Sequence, residues 1–272
     1  MQDKILVFIP AYNCSEQIGR VLDQFRGPIA PWVAQVLVLD NHSTDGTAGV
    51  AEAAAAALDS VEVVVARNQE NYGLGGSHKA AYEYAEREGF THVVTLHGDD
   101  QGSIDDLLPV LQRGEHHRAD ACMGARFQRG AHLSGYSRFR IVGNVIFNAW
   151  FSIASRHLVT DMGSGLNLLA RRAFSDPMVV RHSDGLHFNP RLLLGMYDSG
   201  LRVRFFPISW REDDQASNVK MASQAFDTFK VAWDYAVRRR RFRSEDHRVV
   251  KRTSYPFDVL STTASRMPRS AR

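Results

Sequence analysis

The chain has 272 residues, 44% of them apolar and 23% charged, with two cysteines and a formal net charge of +3. This suits one large domain or two small ones with a full apolar core and excludes a wholly disordered chain. Cys14 and Cys122 are too few for a disulfide scaffold, and their scarcity fits a reducing compartment.

The charge is unevenly spread. Residues 238–272 carry eleven Lys/Arg and three Asp/Glu, a balance of +8, which leaves 22 against 27, or −5, for the rest. This basic tail, densest in RRRRFR at 238–243, is predicted to be extended or disordered. It reads either as a solvated tail or as an attachment to an anionic membrane surface, where each Lys/Arg contributes roughly 1 kcal/mol. It lacks the interleaved aromatics and recognition motif of a nucleic-acid binder, so no nucleic-acid partner is expected.

In chain order, residues 4–10 (KILVFIP) form a short apolar run closed by Pro10. It reads as a buried strand and is too short for a signal-peptide core. Residues 15–25 set Ile18, Val21, Leu22 and Phe25 at helical spacing behind Ser15 as N-cap. Strands follow at 33–40, 61–67 and 91–98, with helices at 43–58, 76–88 and 104–114. This alternation predicts an α/β fold, a mostly parallel sheet covered by helices. Ligands of such sheets bind beyond the carboxyl ends of the strands.

Further on, 121–127 reads as a strand and turn, 139–159 as a long helix and 202–210 as a late strand. The long helix is interrupted by Asn144, Asn148, Ser152, Ser155 and Arg156, so its apolar stretches fall far short of the ~18–20 residues that span a bilayer. It is either a core helix or a helix lying against a membrane or lipid tail.

Four strand ends carry polar clusters: PAYN at 10–13, LDNHSTDGT at 39–47, NQENYGLGGSHKAA at 68–81 and LHGDDQG at 96–102. A parallel sheet brings all four to one edge. The glycine cluster fits neither the P-loop nor the dinucleotide pattern. What remains is a turn onto a helix N-terminus, either anion-accepting or simply tight. In an extended segment His97, Asp99 and Gln101 share one side and can converge on a cation, with Mn²⁺ suited better than Mg²⁺. Asp100 then points away, solvent-exposed or, with Asp105 and Asp106, capping the next helix.

Taken in order, IPAYNC, LDNHSTDGT, NYGLGGSHKAA, HGDDQ, GAR (124–126), Arg140 with Asn144, DMGSG (161–165) and PISW with Arg211 resemble the family-2 glycosyltransferases of GT-A fold. The likeness is greatest to the dolichyl- and polyprenyl-phosphate sugar transferases and covers roughly residues 4 to 220. It implies a GT-A domain at 4–237, with a nucleotide-sugar half at 4–125 and an acceptor-side extension at 126–237. Pro10, Ala11 and Tyr12 would line the nucleotide pocket and Asp40 would bond the base. Asn41, Asn71, Gly73, Lys79 and Gly98 would complete the donor site. Asp99 and Gln101 would hold a divalent ion, Mn or Mg, with His97 in the third ligand position. Arg126, Arg140 and Asn144 would receive the acceptor phosphate, and Asp161, Ser164 and Gly165 would shape that side. Arg211 would reach the donor diphosphate or the incoming phosphate, and with Asp99 it is expected to be catalytic.

The sequence departs from the family's pattern at Cys14 for a glutamate, Asn41 for an aspartate and His97 for the first aspartate of the metal segment. Each change removes a negative charge. REDDQASNVK at 211–220 also lacks the usual glycine. The implied reaction is inverting transfer of a hexose from a UDP- or GDP-sugar to a polyprenyl phosphate. It would occur at the cytoplasmic, inner membrane face, with peripheral contact through helix 141–153 and the tail. A phosphate acceptor is already largely ionised, with a second pKa of about 6, and needs no base. A soluble or protein hydroxyl acceptor would need one, and Asp100 is the candidate. The lost carboxylates leave a third reading open, a non-catalytic nucleotide-binding module.

Overall fold

A computed structural model of the chain describes residues 3–212 and 221–264. The strands are β1 (Ile5–Ala11), β2 (Gln35–Asp40), β3 (Val63–Asn68), β4 (His92–Leu96), β5 (Ala121–Ala125), β6 (His132–Ser134), β7 (Leu166–Ala170), β8 (Val203–Pro207), β9 (Ser209–Arg211) and β10 (Phe257–Thr263). The helices are α1 (Ile18–Asp23), α2 (Thr47–Ala56), α3 (Gly73–Arg87), α4 (Leu108–Gln112), α5 (Arg138–Ser155), α6 (Arg171–Phe174), α7 (Phe188–Asp198), α8 (Met221–Val237) and α9 (Arg239–Ser244).

Eight strands form one sheet in the order β10-β3-β2-β1-β4-β7-β5-β8, and β6 pairs with β9 apart from it. β1 to β4 are mutually parallel. β7 runs against β4 and β5, β8 runs with β5, and β10 runs against β3. The predicted α/β architecture is therefore present, and the sheet passes without a break through both expected halves.

The apolar runs form strands because both faces of the sheet are covered. In β1, Leu6 and Phe8 enter one core with residues of α3, α7 and α8, whereas Ile5, Val7 and Ile9 enter another with α1, α2 and α4. This is the period-two alternation of a strand with two buried sides.

Three expectations are corrected. Ser15 does not cap α1, which begins after Gln17; the Ser15 N–H is taken by Asp45 Oδ2 at 3.0 Å. The late strand breaks at Ile208 into β8 and β9, which separates Arg211 from the main sheet. The basic tail is not extended or disordered as a whole. Within it lie α9 and the edge strand β10, and Tyr255 and Phe242 are buried. Arg239 and Arg243 pair with Asp198, and Arg252 with Glu70 and Asp184, so much of its charge is compensated. Residues 265–272 of the tail lie outside the described residues.

Candidate active site

The carboxyl ends of β1 to β4 are stitched together by backbone bonds. Asn41 N–H donates to Ala11 O at 2.8 Å and Gly98 N–H to Pro10 O at 3.2 Å. Gly98 approaches β1 so closely that a Cβ there would lie 3.0 Å from Pro10 O and 3.2 Å from Cys14 Sγ. Tyr12 stands out from this edge, 53% exposed, while Ala11 is in the core. Burial pushes the Cys14 thiol up to about 11, so it stays a neutral thiol behind Gly98.

Asp40 is buried at the end of β2. Its Oδ1 accepts the Ser43 N–H at 3.0 Å, and its Oδ2 lies 3.2 Å from Arg67 Nε without hydrogen-bond alignment. The half-exposed Arg67, also bonded to Ser43 O, overlies that carboxylate. Sequence reading passed over Arg67; the signal was its place at the end of β3, beside the asparagines.

Asn41, in contrast, is a structural hub. Its Nδ2 donates to Asn71 Oδ1, and its Oδ1 accepts from Asn68 Nδ2 and the Tyr72 N–H, all at 2.8–2.9 Å. Asn71 Oδ1 also takes the Gly73 N–H. A carboxylate at 41 could not donate to Asn71, which gives this departure a local reason.

The expected donor roles of Gly73 and Lys79 are corrected. A Cβ at Gly73 would lie 2.5 Å from Asp184 O, and the Gly75 and Gly76 N–H groups already donate to that carbonyl. The glycine turn is thus the tight connection rather than an anion cradle. Lys79 is buried one turn further along α3. Its Nζ donates to His182 O, Asp184 Oδ1 and Tyr255 OH.

The segment after β4 is the centre of the site. His97 N–H donates to Gly165 O at 3.0 Å, and the ring packs against Gly165 beside Trp210. His97 Nε2 is enclosed without a hydrogen-bond partner among the described residues. Burial pulls the His97 pKa below its ordinary value, against the nearby Asp99 carboxylate, so the ring is neutral at neutral pH. Among the described residues, Asp99 Oδ1 accepts only a long 3.3 Å bond, from the Gln101 N–H. A neutral imidazole with an unused nitrogen, a carboxylate and an amide make a donor set that fits a divalent ion.

Asp100 is not solvent-exposed as expected. It is buried, with φ of 58°, a conformation that Asp and Asn tolerate best after glycine. Its Oδ2 accepts from Arg211 at 2.7 Å and from Arg20 at 2.8 Å, and its Oδ1 accepts from Gln24 at 3.3 Å. Arg211 also donates to Asp100 O, and its own N–H donates to Gln101 O. The break before β9 is what delivers Arg211, with its half-exposed guanidinium, to this loop.

On the acceptor side, Arg126 is fixed by a two-pronged pair with Asp161 at 2.7 and 2.9 Å and lies over Trp210. The carboxylate outweighs desolvation and raises the arginine's pKa further. Arg140 pairs with Glu212 at 2.6 Å and is the more accessible of the two arginines, 35% exposed against 12%. Asn144 donates to Arg140 O and Tyr136 OH. Ser164 is corrected: it is buried, and its hydroxyl is used by Leu166 O and Asn167 Oδ1.

The mostly parallel sheet covered by helices has the GT-A fold of its structural neighbours. Residues 6–187 match the model of glycosyl transferase family 2, and the chain belongs to that family. It is 28% identical over 222 residues to glycosyltransferase AglJ of Haloferax volcanii, covering 80% of this chain and 67% of that one. It is 25% identical over 236 residues to the polyprenol monophosphomannose synthase of Mycolicibacterium smegmatis, covering 84% and 86%. The fold is similar to glucosyl-3-phosphoglycerate synthase of Mycobacterium tuberculosis, solved with Mn²⁺, UDP-glucose and glycerol 3-phosphate. There the TM-score is 0.60 at 18% identity, over 86% of this chain and 80% of that one.

Proposed function

We propose that this glycosyltransferase moves a hexose, with inversion, from a UDP- or GDP-sugar to a polyprenyl phosphate. The carrying observation is the Asp100 clamp, which holds Arg211 against the His97–Asp99–Gln101 loop, between Trp210 under Arg126 and Glu212 paired with Arg140. His97, Asp99 and Gln101 would hold a divalent ion, Mn or Mg, that neutralises the donor diphosphate. Tyr12 and Arg67 would face the nucleotide, with Asp40 beneath. Arg211 stabilises the charge that develops on the departing diphosphate. Arg140 receives the acceptor phosphate in exchange for Glu212, while Arg126 keeps Asp161 and positions that wall.

The acceptor class is supported by the polyprenol-phosphate relative and by the state of Asp100. Both oxygens of that carboxylate are already engaged by Arg20, Arg211 and Gln24, so the candidate a hydroxyl acceptor would need is occupied. No helix among the described residues is long and apolar enough to cross a membrane. α5 instead exposes Val142, Val145, Ile146 and Ile153, and Trp233 on the adjoining α8 is half exposed and stacked in line with Trp150. This face would lie on the inner membrane surface where a lipid carrier is reached.

The test is nucleoside diphosphate release with Mn²⁺ and a panel of UDP-, GDP- and dTDP-sugars, with and without a short polyprenyl phosphate. Release that requires the lipid phosphate is expected. Release indifferent to it would count against the reading.

A further inference from the structure

A second cluster of metal-ligating side chains lies at the opposite, amino edge of the sheet. Asp3 sits just ahead of β1, His92 opens β4, and His116 and His117 lie in the short turn Glu115–His117 before β5. Asp3 Oδ2 is 3.0 Å from His116 Nε2 and 3.3 Å from His117 Nε2. The three ligand atoms all fall within 4.8 Å of one another. His92 Nδ1 lies behind, 3.7 Å from Asp3 Oδ1.

We propose that Asp3, His116 and His117 form a three-ligand Zn²⁺ site, separate from the catalytic centre. Tetrahedral zinc with bonds of about 2.0–2.1 Å separates neighbouring ligand atoms by about 3.3 Å, close to the 3.0 and 3.3 Å from Asp3 Oδ2 to the two imidazoles, with the third separation within 4.8 Å. Without an ion, His116 Nε2 is bonded to Asp3 Oδ2, while His117 Nε2 faces the same oxygen at 3.3 Å without a hydrogen bond, the two rings 4.0 Å apart. A divalent ion gives all three atoms a partner at once. Two imidazoles and one carboxylate favour zinc over Mg²⁺ or Ca²⁺, which take all-oxygen sets. His116 is buried, while His117 is 56% exposed, so the ion can enter from that side and keep water in the fourth position.

The site cannot be the sequence-predicted metal segment. His92 and His97 are five residues apart on the same extended chain, about 16 Å at roughly 3.3 Å per residue. Its effect would be to tie the start of β1 to the turn before β5, across β4 and its neighbours.

Co²⁺, which reports tetrahedral sites through its visible d–d absorption, is the probe. The titration uses the full chain carrying Asp99→Asn, so that the catalytic segment has lost its carboxylate. One equivalent with a tetrahedral spectrum, bleached by Zn²⁺, is expected, and adding His117→Ala should remove it. Thermal unfolding should show a Zn²⁺-dependent rise in Tm in the first protein and none in the second. His117→Gln repeats the test should the alanine variant fold poorly, since that side chain is outside the core. An Asp99→Asn protein with no such spectrum, or a His117 variant that titrates unchanged, overturns the proposal.

Discussion

At the scale of single residues, neighbouring positions in the 97–101 loop are held very differently. Asp99 has an almost unengaged carboxylate, whereas Asp100 is fully bonded to Arg20, Gln24 and Arg211. Asp99→Asn is expected to abolish turnover, and His97→Asp to shift metal preference toward Mg²⁺, both read from nucleoside diphosphate release across a metal series. Asp100→Asn keeps the backbone conformation but weakens the hold on Arg211. It should lower kcat by about tenfold or more, the kinetic equivalent of roughly 1.4 kcal/mol, and leave the metal requirement unchanged. A change in metal requirement instead would assign Asp100 to the ion. The alternation of polar residues singled out Asp99 in the sequence, and the structure leaves its carboxylate little engaged among the described residues. The same alternation misplaced Asp100, because the positive φ and the arginine partners, some 80 and 111 residues away in the chain, have no local signal.

At the scale of elements, the four parallel strands were readable because each is an apolar run ended by polar residues. β7, α7, α8 and β10 were not. α7 carries Pro190 and Gly195, which read as helix breakers; Pro190 is tolerated in the first turn, where its missing N–H would have had no helical partner. β10 follows a basic run and is mostly exposed, as an edge strand is, so it offers no apolar signature. The glycine cluster was legible as a special backbone, but its purpose was not, since the segment it admits, Ser183–Asp184, is remote. A Cβ at Gly75 would lie 2.3 Å from Ser183 O. Gly75→Ala should therefore destabilise by about 1–3 kcal/mol in urea unfolding, as overpacking does. A neutral result would mean that this loop yields freely. On the outer face of α5, Ile146→Glu should weaken flotation with anionic vesicles while leaving Tm within about 1 °C, because Ile146 is 63% exposed. Undiminished flotation would move the membrane contact elsewhere.

For the whole molecule, the layer between the sheet and α7 is expected to be sensitive to acid. His78 is enclosed by Phe8, Tyr82 and Phe188, and burial pulls its pKa down to about 3. Burial lowers His182 well below its ordinary value too. Between pH 6.5 and these folded values the unfolded chain binds protons that the native state does not. The stability these neutral rings contribute is therefore complete above about pH 6.5 and is lost as the pH falls. From pH 6.5 to 5, His78 alone should account for a loss of about 2 kcal/mol. Urea midpoints at pH 7 and pH 5 should show it, and His78→Gln should have a flatter dependence; equal slopes in the two proteins would contradict the assignment.

The central claim is transfer to a lipid phosphate, and following the sugar itself tests it most directly. With a radiolabelled hexose on its nucleotide, Mn²⁺ and a short polyprenyl phosphate, the label should pass into the organic phase in a one-to-one ratio with the nucleoside diphosphate released. Arg140→Ala should suppress that transfer. Label that stays in the aqueous phase while nucleoside diphosphate accumulates would contradict the account.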